Sequence, residues 1–85
     1  MELGDALFQT SDQYLAAFLF QQRLPYVGTQ TDGNRVAFQF EHRSLCEAYV
    51  KQYETNVSVK IQDFCTALRK IYGEIRTHKQ REGKP

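Results

Sequence analysis

The chain has 85 residues, 41% of them apolar and 25% charged, with 11 Lys and Arg against 10 Asp and Glu. That length holds one domain, and the composition is that of an ordinary globular one, which excludes a fibrous or disordered chain. A formal net charge of +1 excludes the broad polybasic surface that coats nucleic acid.

Residues Met1–Phe8 include Glu2 and Asp5 and lack the basic start and apolar run of a secretion signal. Ala6-Leu7-Phe8-Gln9 is expected to form a short strand. Thr10 with Gln13 spells a capping box, and Asp12 suits the positive end of a helix dipole. A helix is therefore predicted from about Asp12 to Gln22, stopped by Pro25. Its centre, Tyr14-Leu15-Ala16-Ala17-Phe18-Leu19-Phe20, is apolar on every face, so it must be covered on more than one side, by the rest of the domain or by a second subunit. It is also the longest apolar run, far short of the roughly 20 residues that cross a bilayer.

A hairpin follows. Tyr26–Gln30 and Arg35–Glu41 flank Thr31-Asp32-Gly33-Asn34, and Asp-Gly is a strong turn signal because both loop residues take positive φ. With Asp32-Gly33 as the loop, Val27 lies opposite Phe38 and Thr29 opposite Val36. One face then carries Val27, Thr29, Val36, Phe38 and Phe40 and is to be buried. The other carries Tyr26, Gly28, Gln30, Arg35, Ala37 and Gln39 and meets water. A lone two-stranded hairpin is marginal in water. Either Ala6–Gln9 joins it as a third strand or an edge pairs with a second chain.

Ser44 with Glu47 spells another capping box, opening a helix from Leu45 to about Tyr53 with an inner stripe of Leu45, Ala48, Tyr49, Val50 and Tyr53. After the break at Glu54-Thr55-Asn56, a longer helix is predicted from about Val59 to Arg76, with Ser58 as its cap. Ile61, Phe64, Cys65, Leu68, Ile71, Tyr72 and Ile75 recur three and four apart, the clearest period in the chain. Residues 77–85 hold no apolar anchor, and over 76–85 Arg76, Lys79, Arg81 and Lys84 outweigh Glu82. They are expected to be a disordered basic tail on a single globular domain spanning 1–76. The fold class is α+β in the order β-α-β-β-α-α, a small antiparallel sheet packed on three helices.

Phe8-Gln9-Thr10-Ser11-Asp12 running into Tyr14-Leu15-Ala16-Ala17-Phe18-Leu19, the strand Val36-Ala37-Phe38-Gln39-Phe40-Glu41, and Phe64-Cys65-Thr66-Ala67-Leu68-Arg69 together resemble a small bacterial family of unknown function. The similarity covers roughly residues 7–72. It departs after the first helix, where members often have Gly and this chain reads Gln22-Arg23-Leu24-Pro25. The resemblance implies a bacterial or mobile-element origin and an α+β domain. It brings no catalytic or ligand residues with it.

Chemistry is thinly represented. His42 and Cys46 stand four apart, but His42 precedes the expected cap, and only Cys65 and His78 remain as further soft ligands, so neither a metal nor a cofactor is expected. Cys46 and Cys65 read as free buried thiols of a reducing cytoplasm. Ser44, His42 and Asp12 or Asp63 contain the residue types of a hydrolytic triad, yet Ser44 is assigned to a cap and no Gly-x-Ser-x-Gly elbow exposes it. The glycines form no phosphate loop. The strand from Arg35 to Phe40 loosely echoes an RNA-stacking strand, but its phenylalanines are the ones the core requires.

The reading that results is a non-enzymatic, cytoplasmic interaction or adaptor protein that pairs with itself. Tyr26, Ala37, Tyr49 and Tyr53 are the candidate contacts, because aromatics are enriched at interfaces. The first alternative is a nucleic-acid accessory protein using Lys60, Arg69, Lys70, Arg76 and Lys79. The second is a small-molecule domain with its pocket between the first helix and the sheet.

Overall fold

A computed structural model describes residues 6–82 of the chain. Its elements are β1 (Phe8–Thr10), α1 (Gln13–Gln21), β2 (Tyr26–Asp32), β3 (Arg35–Phe40), α2 (Arg43–Glu54) and α3 (Ile61–Glu82). The strands form one antiparallel sheet in the order β1-β3-β2, so the third strand is supplied within the chain. The helices pack on one face of it: α1 lies against both α2 and α3, α3 reaches β2, and α2 reaches β1.

Alternation along β3 sets the two faces. Phe38 and Phe40 are fully buried, facing Thr10 and Phe8 on β1, while Gln39 pairs with Gln9 on the outer face and donates from Nε2 to its Oε1 at 3.0 Å. Beneath them sits α1, whose residues Leu15 to Leu19 are all buried. The rest of the domain thus covers this all-apolar helix, and a second subunit is not needed to do so.

The hairpin register differs from the expected one. Asp32 pairs with Arg35, leaving Gly33-Asn34 as the loop, with φ 63° at Gly33 and no positive φ at Asn34, the pattern of a type II′ connection. Thr29 therefore faces Phe38 and Thr31 faces Val36. The slip is two residues, so Thr29 keeps its inner face. A bulge between Tyr26 and Gly28 does reverse two assignments: Tyr26 turns inward opposite Phe40, and Val27 stands 47% exposed. Gly28 makes the kink possible with a φ of 151°, which side-chain-bearing residues rarely adopt.

Helix ends also moved. Asp12, not Thr10, caps α1, its Oδ1 accepting from the Tyr14 and Leu15 amides at 3.0 and 3.1 Å. Thr10 Oγ1 accepts instead from the Asp12 amide at 3.1 Å. His42 occupies the N-cap of α2 with a left-handed φ of 64° and no side-chain cap bond, which puts Ser44 inside the first turn. The stripe of α2 turns accordingly: Cys46 is buried, whereas Leu45 is 48% exposed. In α3 the Lys60 carbonyl accepts the first helical bond, from Phe64, so Ser58 lies outside the helix.

Two helices end in the same way. Arg23 (φ 66°) donates to the Phe20 carbonyl and Leu24 to that of Leu19; Asn56 (φ 59°) donates to Tyr53 and Val57 to Gln52. Both are Schellman motifs, one closed by Asn and the other by Arg where Gly is usual.

The largest difference lies at the C-terminus. α3 continues through Glu82, so residues 77–82 of the expected disordered tail are helical; residues 83–85 of that tail lie outside the described residues. His78 anchors the extension, 8% exposed, with Nδ1 2.8 Å from Thr29 Oγ1 and Nε2 3.1 Å from Thr31 Oγ1. The inner face of β2 is therefore met at this end by a polar contact, where a composition-based search for apolar anchors finds none.

Candidate functional site

Two surfaces stand out, on opposite flanks of α3. The first is a row of tyrosines across the helical layer. The Asp12 cap fixes the first turn of α1 so that Tyr14 projects to solvent, 53% exposed. On α2, Tyr49 and Tyr53 are four apart and lie over Phe18 of α1, with ring centroids 6.2 and 5.6 Å from it. On α3, Tyr72 is 40% exposed, and Ile61, three turns earlier on the same flank, is 66% exposed. Tyr14 influences the hydroxyls of both Tyr53 and Tyr72. Burial first, then the Asp12 carboxylate and Tyr14, push the Tyr53 hydroxyl above its ordinary pKa. Interaction with the Tyr14 hydroxyl does the same to Tyr72. Tyr53, Tyr14 and Tyr72 are thus neighbours, one from each helix.

The second surface is a groove of about 860 Å³ between the end of α1, the segment 58–60 and the first half of α3. Arg23, Lys60 and Lys70 line it together with Asp63, over apolar surface from Phe20, Leu24 and Ala67. Gln21 joins the walls weakly: its Nε2 donates to the Lys60 carbonyl at 3.4 Å, while its Oε1 is buried without a partner.

The residues singled out from sequence fall in several places. Tyr26 is half-buried, its ring 6.0 Å from Phe20 and 5.3 Å from Phe40, its hydroxyl donating to Glu74 Oε1 at 3.0 Å. Burial, then Glu74, raise its pKa well above the ordinary tyrosine value. Ala37, opposite Gln30 on the central strand, is wholly covered and does not present itself to a partner, whereas Tyr26 keeps part of its surface and lines the groove. Tyr49 and Tyr53 are half-buried and belong to the row.

Lys60, Arg69, Lys70, Arg76 and Lys79 are all exposed, but they point in different directions. Lys60 and Lys70 flank the groove, whereas Lys79 lines a separate cleft with Asn34 and Arg35. At roughly 100° per residue, Lys70 and Lys79 are on opposite sides of α3. His42 is exposed and Cys46 buried, with Sγ donating to the Glu41 carbonyl at 3.4 Å. Cys46 and Cys65 are not joined in a disulfide, and Cys65 is only half-buried. Among the described residues, no three His, Cys, Asp or Glu side chains are grouped as metal ligands, and no helix is long and apolar enough to cross a membrane. The space between α1 and the sheet is filled by core; the groove lies at the end of α1 instead.

Sequence reasoning missed Tyr14, Tyr72 and the groove. The helical period held a signal for Tyr72, which falls about 100° from the buried Ile71 and so on the flank of the stripe. The groove had none, because it joins three segments distant in sequence.

Comparison with known proteins adds one finding. A family model described as a domain of unknown function matches residues 5–77. No curated protein and no solved structure matches the chain.

Proposed function

The chain belongs to that family, DUF5659, a domain of unknown function, and we propose that it is a non-enzymatic interaction module that pairs with a second copy of itself through the tyrosine row. A cytoplasmic setting and a bacterial or mobile-element source are part of this proposal. The observation that carries it is the row itself: Tyr14 and Tyr72, from different helices, are 53% and 40% exposed beside Tyr53. An uncharged row of rings is self-complementary under a two-fold axis, because it meets its own copy without opposing like charges. Tyrosine brings large area at low entropic cost and a hydroxyl that tolerates either water or a partner. The nucleic-acid alternative has less support, since its five cations do not share one face.

Sedimentation equilibrium tests the proposal. The native chain is expected to run at about twice 9.9 kDa, and Tyr72→Glu, which places a charge in the contact, to run as a monomer. A native chain that stays monomeric at high concentration would overturn it.

A further inference from the structure

Lys70 and Tyr72 point about 160° apart on α3, so the groove is independent of the tyrosine row and can be occupied whether or not the chain pairs. We propose that it binds the carboxylate end of a peptide whose last side chain is apolar. Three features of the walls select that chemistry together. Arg23, Lys60 and Lys70 outweigh Asp63, so an anion is favoured, and guanidinium and ammonium donors make strong charge-assisted bonds to a carboxylate. Phe20, half-buried in the wall, offers apolar surface to a side chain next to that carboxylate, over a floor of the buried Leu24 and Ala67. The Asp63 carboxylate lines the same wall, so an N–H donor on the ligand is accommodated as well.

A bare phosphate supplies the charge but neither the donors nor the apolar body. A chain end supplies all three, as an N-acylated amino acid also does. The volume of about 860 Å³ is within the range of roughly 300–1,000 Å³ that small-ligand sites occupy.

Fluorescence polarisation of fluorescein-labelled Gly-Gly-Ala-Leu, as free acid and as carboxamide, tests this with the full chain. The acid is expected to bind and the amide to bind about tenfold more weakly or worse. Lys70→Glu is expected to weaken the acid to a similar degree. Arg76→Glu makes the same change in charge outside the groove and is expected to leave binding nearly intact. Arg23→Gly relieves the backbone, so it should raise the melting temperature while weakening binding, which separates a lost contact from a lost fold. N-acetyl-leucine competing as well as the peptide would identify a free acylated amino acid as the source of this chemistry; failure to compete would identify the peptide end. Equal binding of acid and amide, equal effects of Lys70→Glu and Arg76→Glu, or no saturation by about 1 mM would overturn the site. Tyr72→Glu should leave peptide binding unchanged even where it abolishes pairing, so the two proposals fail separately.

Discussion

Phe38 and Gln39 are adjacent on β3 and face opposite ways, one fully buried and the other on the outer face. Truncating the first empties the space between sheet and helices, so Phe38→Ala is expected to cost about 3–5 kcal/mol in chemical denaturation. Gln39→Ala should stay within about 0.5 kcal/mol. Similar losses would mean that the faces of the strand are reversed. Tyr26 supplies a test in pH. Its hydroxyl donates to Glu74, and burial and that bond raise its pKa above the 10.0 of an unperturbed tyrosine, against a smaller opposing pull from Arg81. A raised pKa means that the folded state retains the proton after the unfolded state has lost it. The contribution is therefore complete below about pH 10 and declines as pH rises further. Tyr26→Phe is expected to cost about 1 kcal/mol at neutral pH, with the gap to the native chain narrowing above pH 10; a constant gap would contradict the assignment. At this scale the sequence was only partly legible. Strict alternation exposed the role of Phe38 and Phe40, but it carried the same count into β2, where the bulge at Val27 exchanges the faces of Tyr26 and Val27.

At the scale of elements, the existence and order of strands and helices were readable and their ends were not. Capping-box spacing occurs at Thr10–Gln13 and Ser44–Glu47, yet neither pair closes a cap. Asp12 is better placed for α1, and Glu47 instead accepts from Arg43 Nε at 3.2 Å. Asp12→Ala is accordingly expected to lower stability by about 1 kcal/mol. Arg23→Gly should raise it by up to about 1 kcal/mol, since it removes a side chain from a left-handed position. Thermal melts of both variants check the signs, and a destabilised Arg23→Gly would contradict the reading of that helix end. The extension of α3 past Arg76 was hidden because its anchor is polar. Composition sees a charged tail, while the structure holds it by His78 between two threonine hydroxyls. Amide exchange at residues 77–80 should be slowed, and His78→Ala should release it; free exchange in the native chain would return the segment to a frayed end.

For the whole molecule, one sheet face and three helices enclose a core built around α1, and the chain provides that cover itself. Among the described residues, the surfaces it leaves uncovered include the tyrosine row on one side of α3 and the basic groove on the other. Tyr49 and Tyr53 were legible as one part of the row, but Tyr14, Tyr72 and the groove were not, because row and groove are each assembled from elements far apart in the chain, and local pattern carries no information on which helices become neighbours. The row is the central functional claim, and the chain's five tyrosines allow it to be followed directly. With every tyrosine replaced by 3-fluorotyrosine, fluorine NMR over a dilution series should show the Tyr14, Tyr53 and Tyr72 signals shifting with concentration while the signal of Tyr26, which packs on Phe20 and Phe40 outside the row, stays fixed. Signals from the row that do not respond to dilution, or a Tyr26 signal that moves with them, would contradict pairing through this face.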